Sequence, residues 1–341
     1  MGWLATTSQP EGVEYMNIYD STADYISNIP LMKAWPAATT LLEQAAFKKP
    51  RDWRLPILTC ETVGGNVSQA IPAAASIACA LIGILLIDDM LDDDPRGEFH
   101  RIGAAQAANF ASAFLAASSQ AIVQSEALPK NKLLAMKSLS QMMASISLGQ
   151  YLDVQNPSDE AGYWKVVELK SSSFFRSAFE LGALFGNAPV EVVNRIGEIG
   201  SLYGEMIQIH DDLNDTMQVP ANSDWIQRRS ALPILFARLV DHPARARFEE
   251  LYPYAGSNSR FLKEAQEILI QCGAVSYCIY QLLNRHQTVL GILSTLPVPH
   301  SGREGLTSFV EQMVVPAYRL FEEVSGVPFA PTTFKIKADG E

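Results

Sequence analysis

The sequence predicts an all-α fold. Apolar residues recur at helical spacing, strand-like alternation is nearly absent, and β-branched residues do not cluster in short runs. With 341 residues, 48% of them hydrophobic, the chain can bury a large core. No short repeat, low-complexity tract or linker divides the sequence. We therefore predict a partly ordered N-terminal segment, residues 1–30, and a single all-α domain over residues 31–341.

Helical spacing, interrupted by turn residues, defines the individual elements. The predicted helices cover residues 31–47, 70–87, 102–124, 133–154, 164–185, 190–215, 231–240, 248–251, 261–293 and 303–325. A basic turn with two prolines, residues 48–56, follows the first helix, and Pro95-Arg96-Gly97 ends the second. Residues 217–230 form a predicted polar loop.

The run from Ala70 to Ile87 is the most hydrophobic segment, long enough to resemble a transmembrane span. It contains Pro72, Ser76 and Gly83 and continues directly into a row of aspartates. A central helix enclosed by other helices explains these features better. We predict no membrane span.

Composition narrows the functional classes. The net charge of −11 argues against a nucleic-acid-binding surface. The four cysteines form no CxxC pair and are expected to be free thiols in a reducing compartment. Residues 1–24 lack the basic start and continuous apolar core of a signal peptide. These features predict a cytoplasmic protein.

The stretch DDMLDDD, residues 88–94, has five carboxylates among seven residues and follows the apolar run. Carboxylates a few Å apart repel each other, and burial makes the repulsion stronger. Few cationic side chains lie nearby in the sequence. Hard divalent cations, which bind through oxygen, are therefore the expected partners.

A second stretch, DDLND at residues 211–215, also ends a mostly apolar helix. In each stretch the first and last aspartates are four residues apart, so they share one helix face. One such stretch alone could be a solvated helix end, but two of the same form predict a facing pair that binds Mg²⁺. The predicted metal ligands are Asp88, Asp89, Asp92, Asp211, Asp212 and Asp215.

Five motifs in this order resemble those of the trans-isoprenyl diphosphate synthases, or polyprenyl synthetases. They are DDMLD at 88–92, GQYLD at 149–153, Lys170-Ser171, QIHDDLND at 208–215, and Ser223-Asp224 followed by Arg229 and Leu232-Pro233. Each match is weak alone, and Arg229 replaces the family's lysine. The resemblance extends from about Phe47 to Tyr318.

The resemblance implies the isoprenoid synthase fold, an antiparallel helix bundle around a central apolar cavity, usually in a homodimer. It implies a prenyl diphosphate substrate and three Mg²⁺ ions. Metal ions and cationic side chains would stabilise the leaving diphosphate. The carbocation would lie in an apolar tube that excludes water.

The resemblance also assigns roles to single residues. The catalytic set is Asp88, Asp92, Asp211 and Lys170, and the set for binding diphosphate is Lys170, Arg229, Arg96, Arg51, Arg54 and Gln208. Two interpretations stay open. Ala80 and Gly83 could widen the tube or pack closely against a helix. Gln150 and Asp153 could be core polar groups or could support the ligands, whereas Tyr203 is expected in the core.

The sequence departs from the family where the acceptor, isopentenyl diphosphate, would bind. Arg51 stands for the lysine of the basic turn, and Arg54 and Arg96 are kept. However, Leu81 occupies a position of His or Gln, and Pro95 replaces an arginine that in the family contacts the allylic diphosphate. Each lost charge-assisted hydrogen bond is worth about 1.5–3 kcal/mol.

Intact ionisation residues beside a weakened acceptor site make a Mg²⁺-dependent terpene cyclase or lyase our first hypothesis. Chain elongation with isopentenyl diphosphate is the main alternative. Prenyl transfer to another acceptor and a non-catalytic subunit are lesser alternatives. The second acidic stretch lacks the Asn/Asp-Ser-Glu pattern of ordinary cyclases and is of the prenyltransferase type.

Overall fold

The computed structural model describes residues 17–325, with side chains described through residue 315. Within these limits it contains 17 α-helices and no β-strand, which confirms the predicted all-α class. The helices are α1 (Ile18–Ser27), α2 (Pro30–Lys33), α3 (Pro36–Phe47), α4 (Leu55–Thr62), α5 (Val67–Leu91), α6 (Phe99–Ile102), α7 (Ala104–Val123), α8 (Pro129–Val154), α9 (Glu160–Val167), α10 (Ser173–Phe185), α11 (Val190–Met217), α12 (Ser223–Gln227), α13 (Leu232–Leu239), α14 (Arg245–Ala255), α15 (Ser259–Gln271), α16 (Ala274–Ser294) and α17 (His300–Ser325).

Helix α5 is the centre of the bundle and packs against α1, α4, α7 and α10. It begins with a capping box in which Asn66 and Gln69 each accept a backbone N–H of the other. Every residue from Ala70 to Gly83 is buried. In the described chain, α5 is the one helix long and apolar enough to cross a membrane, but 83% of its apolar window is buried inside the protein.

Helix α1 lies within the N-terminal segment, residues 1–30, that was predicted to be partly ordered. Its residue Ile26 is fully buried in the main core. The Tyr25 hydroxyl donates a hydrogen bond to the Ala121 carbonyl oxygen in α7 (3.0 Å). A helix of only ten residues carries too short a periodic signal to predict such packing.

Two predicted helices are interrupted. Residues 261–293 divide into α15 and α16 at Gly273, whose φ of +89° suits glycine. Residues 164–185 divide into α9 and α10 around a π-helical turn, Glu168–Ser172. The basic turn contains a 3₁₀ helix, Arg51–Arg54. None of these changes alters the order of the elements.

A smaller core lies beside the main one, built from α12 to α15. Trp225, Phe248 and Tyr252 pack together there. The Trp225 ring nitrogen donates to the Thr216 carbonyl oxygen near the end of α11 (2.9 Å). This core therefore holds the loop that follows the second acidic stretch.

Candidate active site

The acidic stretches lie at the carboxyl-terminal ends of α5 and α11. The Asp92 N–H donates to the Asp88 carbonyl oxygen (2.9 Å), so the helical spacing continues through Asp92. The carboxyl-terminal end of a helix already carries partial negative charge. Carboxylates placed there increase the negative potential, and both helix ends require positive charge nearby.

Lys170 supplies part of that charge at α5. Its Nζ lies 3.2 Å from an oxygen of Asp88 and 2.7 Å from one of Asp153. The Gln150 amide donates to the same Asp88 oxygen (2.9 Å). Burial alone would lower the pKa of Lys170, but the charges of Asp88 and Asp153 raise it. Gln150 and Asp153 thus contact the charged groups at the end of α5.

Arg229 supplies a second positive charge. Its guanidinium lies 2.5 Å from the Asp92 carboxylate and 3.5 Å from that of Asp153. Gln227, from the same loop, donates to the Asp92 carbonyl oxygen (2.8 Å). The Tyr252 hydroxyl donates to the Arg229 carbonyl oxygen (3.3 Å), which ties the loop to the smaller core. The loop after the second acidic stretch therefore lies on the first.

Arg96 connects the two stretches electrostatically. It forms an ion pair with Asp94 (2.8 Å), and the charges of Asp94, Asp89 and Asp215 raise its pKa although slight burial opposes them. Burial and then the charge of Asp211 raise the pKa of Asp215, and Arg96 lowers it. Arg96, which follows the first stretch, is thus close enough to Asp215 of the second for their charges to interact. We call the region between the two stretches the cleft.

Asp212 differs from the other predicted metal ligands because its side chain is buried (5% exposed). Its two carboxylate oxygens accept hydrogen bonds from Gln208, Tyr163 and the backbone N–H of Leu232. Burial raises its pKa to about 7, although these donors oppose the rise. By contrast, the side chain of Asp211 is 50% exposed. Consecutive aspartates of one motif therefore have different surroundings.

A backbone packing arrangement positions Lys170 and its neighbour Ser171. Both belong to the π-helical turn between α9 and α10. A Cβ on Gly149 would lie 2.8 Å from Lys170 Cγ, and one on Gly204 would lie 2.7 Å from the Ser171 carbonyl oxygen. The turn is thus held tightly between α8 and α11. Such π-helical turns are frequent at functional sites.

The predicted acceptor residues lie on the 3₁₀ helix and on α5. Arg51 and Arg54 are exposed and three residues apart, so they project to the same side of the 3₁₀ helix. Leu81 is buried (8% exposed). Sequence reasoning overlooked Asp52, which lies between the arginines. Burial, then the charge of Asp211, raises the Asp52 pKa to about 6, while Arg51 lowers it.

Two small residues of α5 had an open interpretation. Gly83 allows close helix packing, because a Cβ there would lie 2.8 Å from Leu115 Cγ of α7. Ala80 is fully buried. Tyr203, expected in the core, is buried between Phe175, Phe179 and Phe309. The packing interpretation therefore holds for Gly83.

The donor set suits Mg²⁺, because carboxylate oxygens are its preferred protein ligands. Among residues 17–325, however, no three acidic, histidine or cysteine side chains stand close enough to form a ready-made metal site. Lys170 and Arg229 lie against Asp88 and Asp92 instead. The individual metal ligands therefore remain predictions.

A different cleft of about 310 Å³ lies between α8, α10 and α11. Glu180 accepts hydrogen bonds there from Ser138 (2.7 Å) and pairs with Arg176 (2.8 Å). None of the predicted site residues lines it. Ser138, Arg176 and Glu180 thus bond to one another there.

Comparison with known proteins decides the family. Residues 48–269 match the family model described as polyprenyl synthetase. The chain belongs to the polyprenyl synthetase family. It is an enzyme of the class I isoprenoid type, as the resemblance implies. The matched region contains both acidic stretches, Lys170 and Arg229.

Curated members of the polyprenyl synthetase family resemble the chain over much of its length. It is 31% identical over 187 residues to a geranylgeranyl diphosphate synthase of Methanosarcina mazei, covering 52% of this chain and 57% of that one. It is 26% identical over 283 residues to a geranylfarnesyl diphosphate synthase of Aeropyrum pernix, covering 76% and 87%. These names favour our alternative, chain elongation, over the cyclase hypothesis.

Solved structures of the family share the fold. A polyprenyl synthetase of Streptomyces coelicolor superposes with a TM-score of 0.74 at 18% identity, over 88% of this chain and 97% of that one. A geranylgeranyl pyrophosphate synthetase of Pyrococcus horikoshii gives 0.74 at 20% identity, over 88% and 95%. The isoprenoid synthase fold predicted from the motifs is confirmed.

Proposed function

We propose that this enzyme elongates an allylic prenyl diphosphate by condensing it with isopentenyl diphosphate. The observation that carries the proposal is the placement of Lys170 and Arg229 on the carboxylates of Asp88 and Asp92. One cleft thus holds both the acidic groups suited to a metal and the cationic groups suited to a diphosphate. The names of the relatives support elongation in particular.

The allylic diphosphate would bind at these acidic helix ends. Asp88, Asp92, Asp211 and Asp215 would hold Mg²⁺, which supplies Lewis-acid stabilisation of the leaving diphosphate when bound. Lys170 and Arg229 would move from their carboxylates to the oxygens of the diphosphate, where negative charge develops as the C–O bond breaks. A solved polyprenyl synthase of Caulobacter crescentus is complexed with calcium and isoprenyl diphosphate, which is consistent with this arrangement.

Isopentenyl diphosphate would bind through Arg51 and Arg54, with Arg96 nearby. The π electrons of its double bond would form the new C–C bond at the carbon that loses diphosphate. Loss of a proton from the adduct would then restore a double bond. The products are one longer allylic diphosphate and one pyrophosphate.

A cyclase or lyase is the second candidate, and two observations favour it. Leu81 presents a buried apolar side chain where a polar contact to the acceptor is expected. Asp52 adds a carboxylate between the two arginines of the same region. Both features weaken binding of an anionic acceptor. In that case the carbocation would lose a proton, react with its own double bonds or be quenched by water.

The same proposal includes four further properties of the enzyme. It forms a homodimer, binds three Mg²⁺ ions, is located in the cytoplasm and receives the hydrocarbon chain in a central cavity. Prenyl transfer to another acceptor and a non-catalytic role are less favoured, since the cleft keeps both acidic stretches and both cations.

The test is incubation with C10, C15 and C20 prenyl diphosphates and Mg²⁺, with and without isopentenyl diphosphate. We expect a longer prenyl diphosphate only when isopentenyl diphosphate is present. A hexane-soluble product formed without it would establish the cyclase instead. Absence of turnover in both mixtures would refute both candidates.

A further inference from the structure

Asp212 lies at the centre of a buried hydrogen-bond network. Its Oδ1 accepts from Gln208 Nε2 (2.8 Å). Its Oδ2 accepts from the Tyr163 hydroxyl (2.8 Å) and from the Leu232 N–H (2.7 Å). All three partners donate, so they occupy three of the roughly four lone-pair sites of an ionised carboxylate. The side chain is also only 5% exposed, which disfavours a further ligand.

The network reaches both cationic residues of the cleft through the backbone. Gln208 Oε1 accepts from the Ser171 hydroxyl (2.8 Å), and Ser171 directly follows Lys170. Leu232 begins α13, three residues after Arg229. One carboxylate of α11 is thereby connected to the segments that carry the two cations.

Tyr163 adds a third connection. It lies in α9, which leads into the π-helical turn, and its side chain is buried (5% exposed). The donors to Asp212 therefore come from α9, α11 and the start of α13. Three segments separate in sequence meet at this one side chain.

We propose that Asp212 is a positioning residue that fixes Lys170 and Arg229 relative to the metal-binding face of α11, and that it is not itself a metal ligand. The proposal rests on the proposed function, because it assumes that the cleft binds a diphosphate. Asp211 and Asp215 remain the ligands of the second stretch. Asp212 acts from the buried side of the same helix.

The experiment measures binding of inorganic pyrophosphate in the presence of Mg²⁺, and the number of Mn²⁺ ions bound at saturating pyrophosphate by electron paramagnetic resonance. For Asp212→Asn we expect roughly tenfold weaker pyrophosphate binding, because the donors are less well satisfied. The number of Mn²⁺ ions should equal that of the wild type. Asp211→Asn, the comparison variant, should bind fewer ions.

Tyr163→Phe provides an independent test should Asp212→Asn fail to fold. It removes one donor to Asp212 and no hydrogen bond to Asp211 or Asp215, so pyrophosphate binding should weaken about threefold. The double variant should bind as weakly as Asp212→Asn alone, because Tyr163 acts through Asp212. Tyr25→Phe removes a comparable tyrosine hydrogen bond remote from the cleft and is the matched control.

Loss of a Mn²⁺ ion in Asp212→Asn would overturn the proposal. So would pyrophosphate binding that is unchanged in Asp212→Asn or Tyr163→Phe, or losses that simply add in the double variant. A wild-type chain that binds no pyrophosphate would instead refute the proposed function, and the role of Asp212 with it.

Discussion

The guanidinium of Arg229 lies 2.5 Å from the carboxylate of Asp92, although 137 positions separate them in the sequence. This pair brings the loop after the second acidic stretch onto the first. It also places a cation where a diphosphate would need one. Lys170 likewise forms an ion pair with Asp88 of the first acidic stretch.

Removing either cation should impair catalysis more than folding. We expect Lys170→Met to lower kcat/KM for the allylic diphosphate by about 100-fold, since removing one donor to a developing negative charge has effects of this size. Lys165→Met, which removes an exposed lysine one turn away, is the control. Steady-state kinetics and thermal unfolding measure both effects. Equal kcat/KM values for the two variants would show that Lys170 does not act in the active site.

Loss of a predicted metal ligand should abolish turnover and leave the fold intact. Asp88→Ala and Asp211→Ala are the variants, because both side chains are only partly buried. Asp93→Asn is the control, since Asp93 has φ of +49°, which Asn tolerates well. Turnover is measured across a range of Mg²⁺ concentrations. Full activity in either alanine variant would contradict its place among the ligands.

Leu81→His tests the acceptor site. A histidine there can donate to an anionic acceptor, so we expect the KM for isopentenyl diphosphate to fall about tenfold, the equivalent of one charge-assisted hydrogen bond. Ile82→His introduces the same group at the next buried position and is the control. An unchanged KM in Leu81→His would show that our account of the acceptor pocket is wrong.

Gly149→Ala tests the packing of the π-helical turn. The added Cβ would lie 2.8 Å from Lys170 Cγ and 2.9 Å from Leu169 Cβ, so it must displace them. We expect about 1–3 kcal/mol of destabilisation together with reduced kcat. Gly291→Ala is matched, since that helical glycine has no neighbour within 4 Å, and it should stabilise by about 0.5–1 kcal/mol. Chemical denaturation distinguishes the two, and equal stabilities would refute the packing account.

Asp52 should make the stability of the metal-free protein depend on pH. Its pKa of about 6 lies above the ordinary 3.8 because of burial and the charge of Asp211. The folded state therefore binds the proton more tightly than the unfolded state does. The stabilisation is complete below pH 3.8 and is lost as the pH rises through 6.

Asp52→Asn should remove this contribution. Its unfolding free energy relative to the wild type should increase between pH 4 and 7, measured by denaturant titration with a chelator present. Asp241→Asn, at an exposed position, controls for the loss of one carboxylate. A difference between Asp52→Asn and wild type that stays constant over this range would contradict the prediction.

The sequence predicted the helical class because that class depends on local spacing. The pairing of the acidic stretches in one metal site rests on their similar form and on the motif order, and it stays a prediction. The order of the motifs also predicted that Lys170 and Arg229 would reach the cleft. Separating the roles of Asp211 and Asp212 required the three-dimensional structure. Adjacent residues of a helix point about 100° apart, but only the positions of Tyr163 and Leu232 show which side is buried.

Three other features of the site region left a weak trace in the sequence, or none. Asp52 could have been noticed as the acidic residue within a basic turn. Tyr163 has no such signal, because its partner is 49 positions away. The π-helical turn was not predicted either. The apolar spacing of residues 164–185 also fits one continuous α-helix, because a single extra residue changes that spacing only slightly.

The π-helical turn inserts one extra residue between α9 and α10. Deleting a single residue there would rotate all preceding side chains by about 100° relative to those that follow. Tyr163 and Phe175, both inward-facing now, could not then face inward together. The extra residue therefore shifts the helical register, so that the buried faces of α9 and α10 both point into the same core.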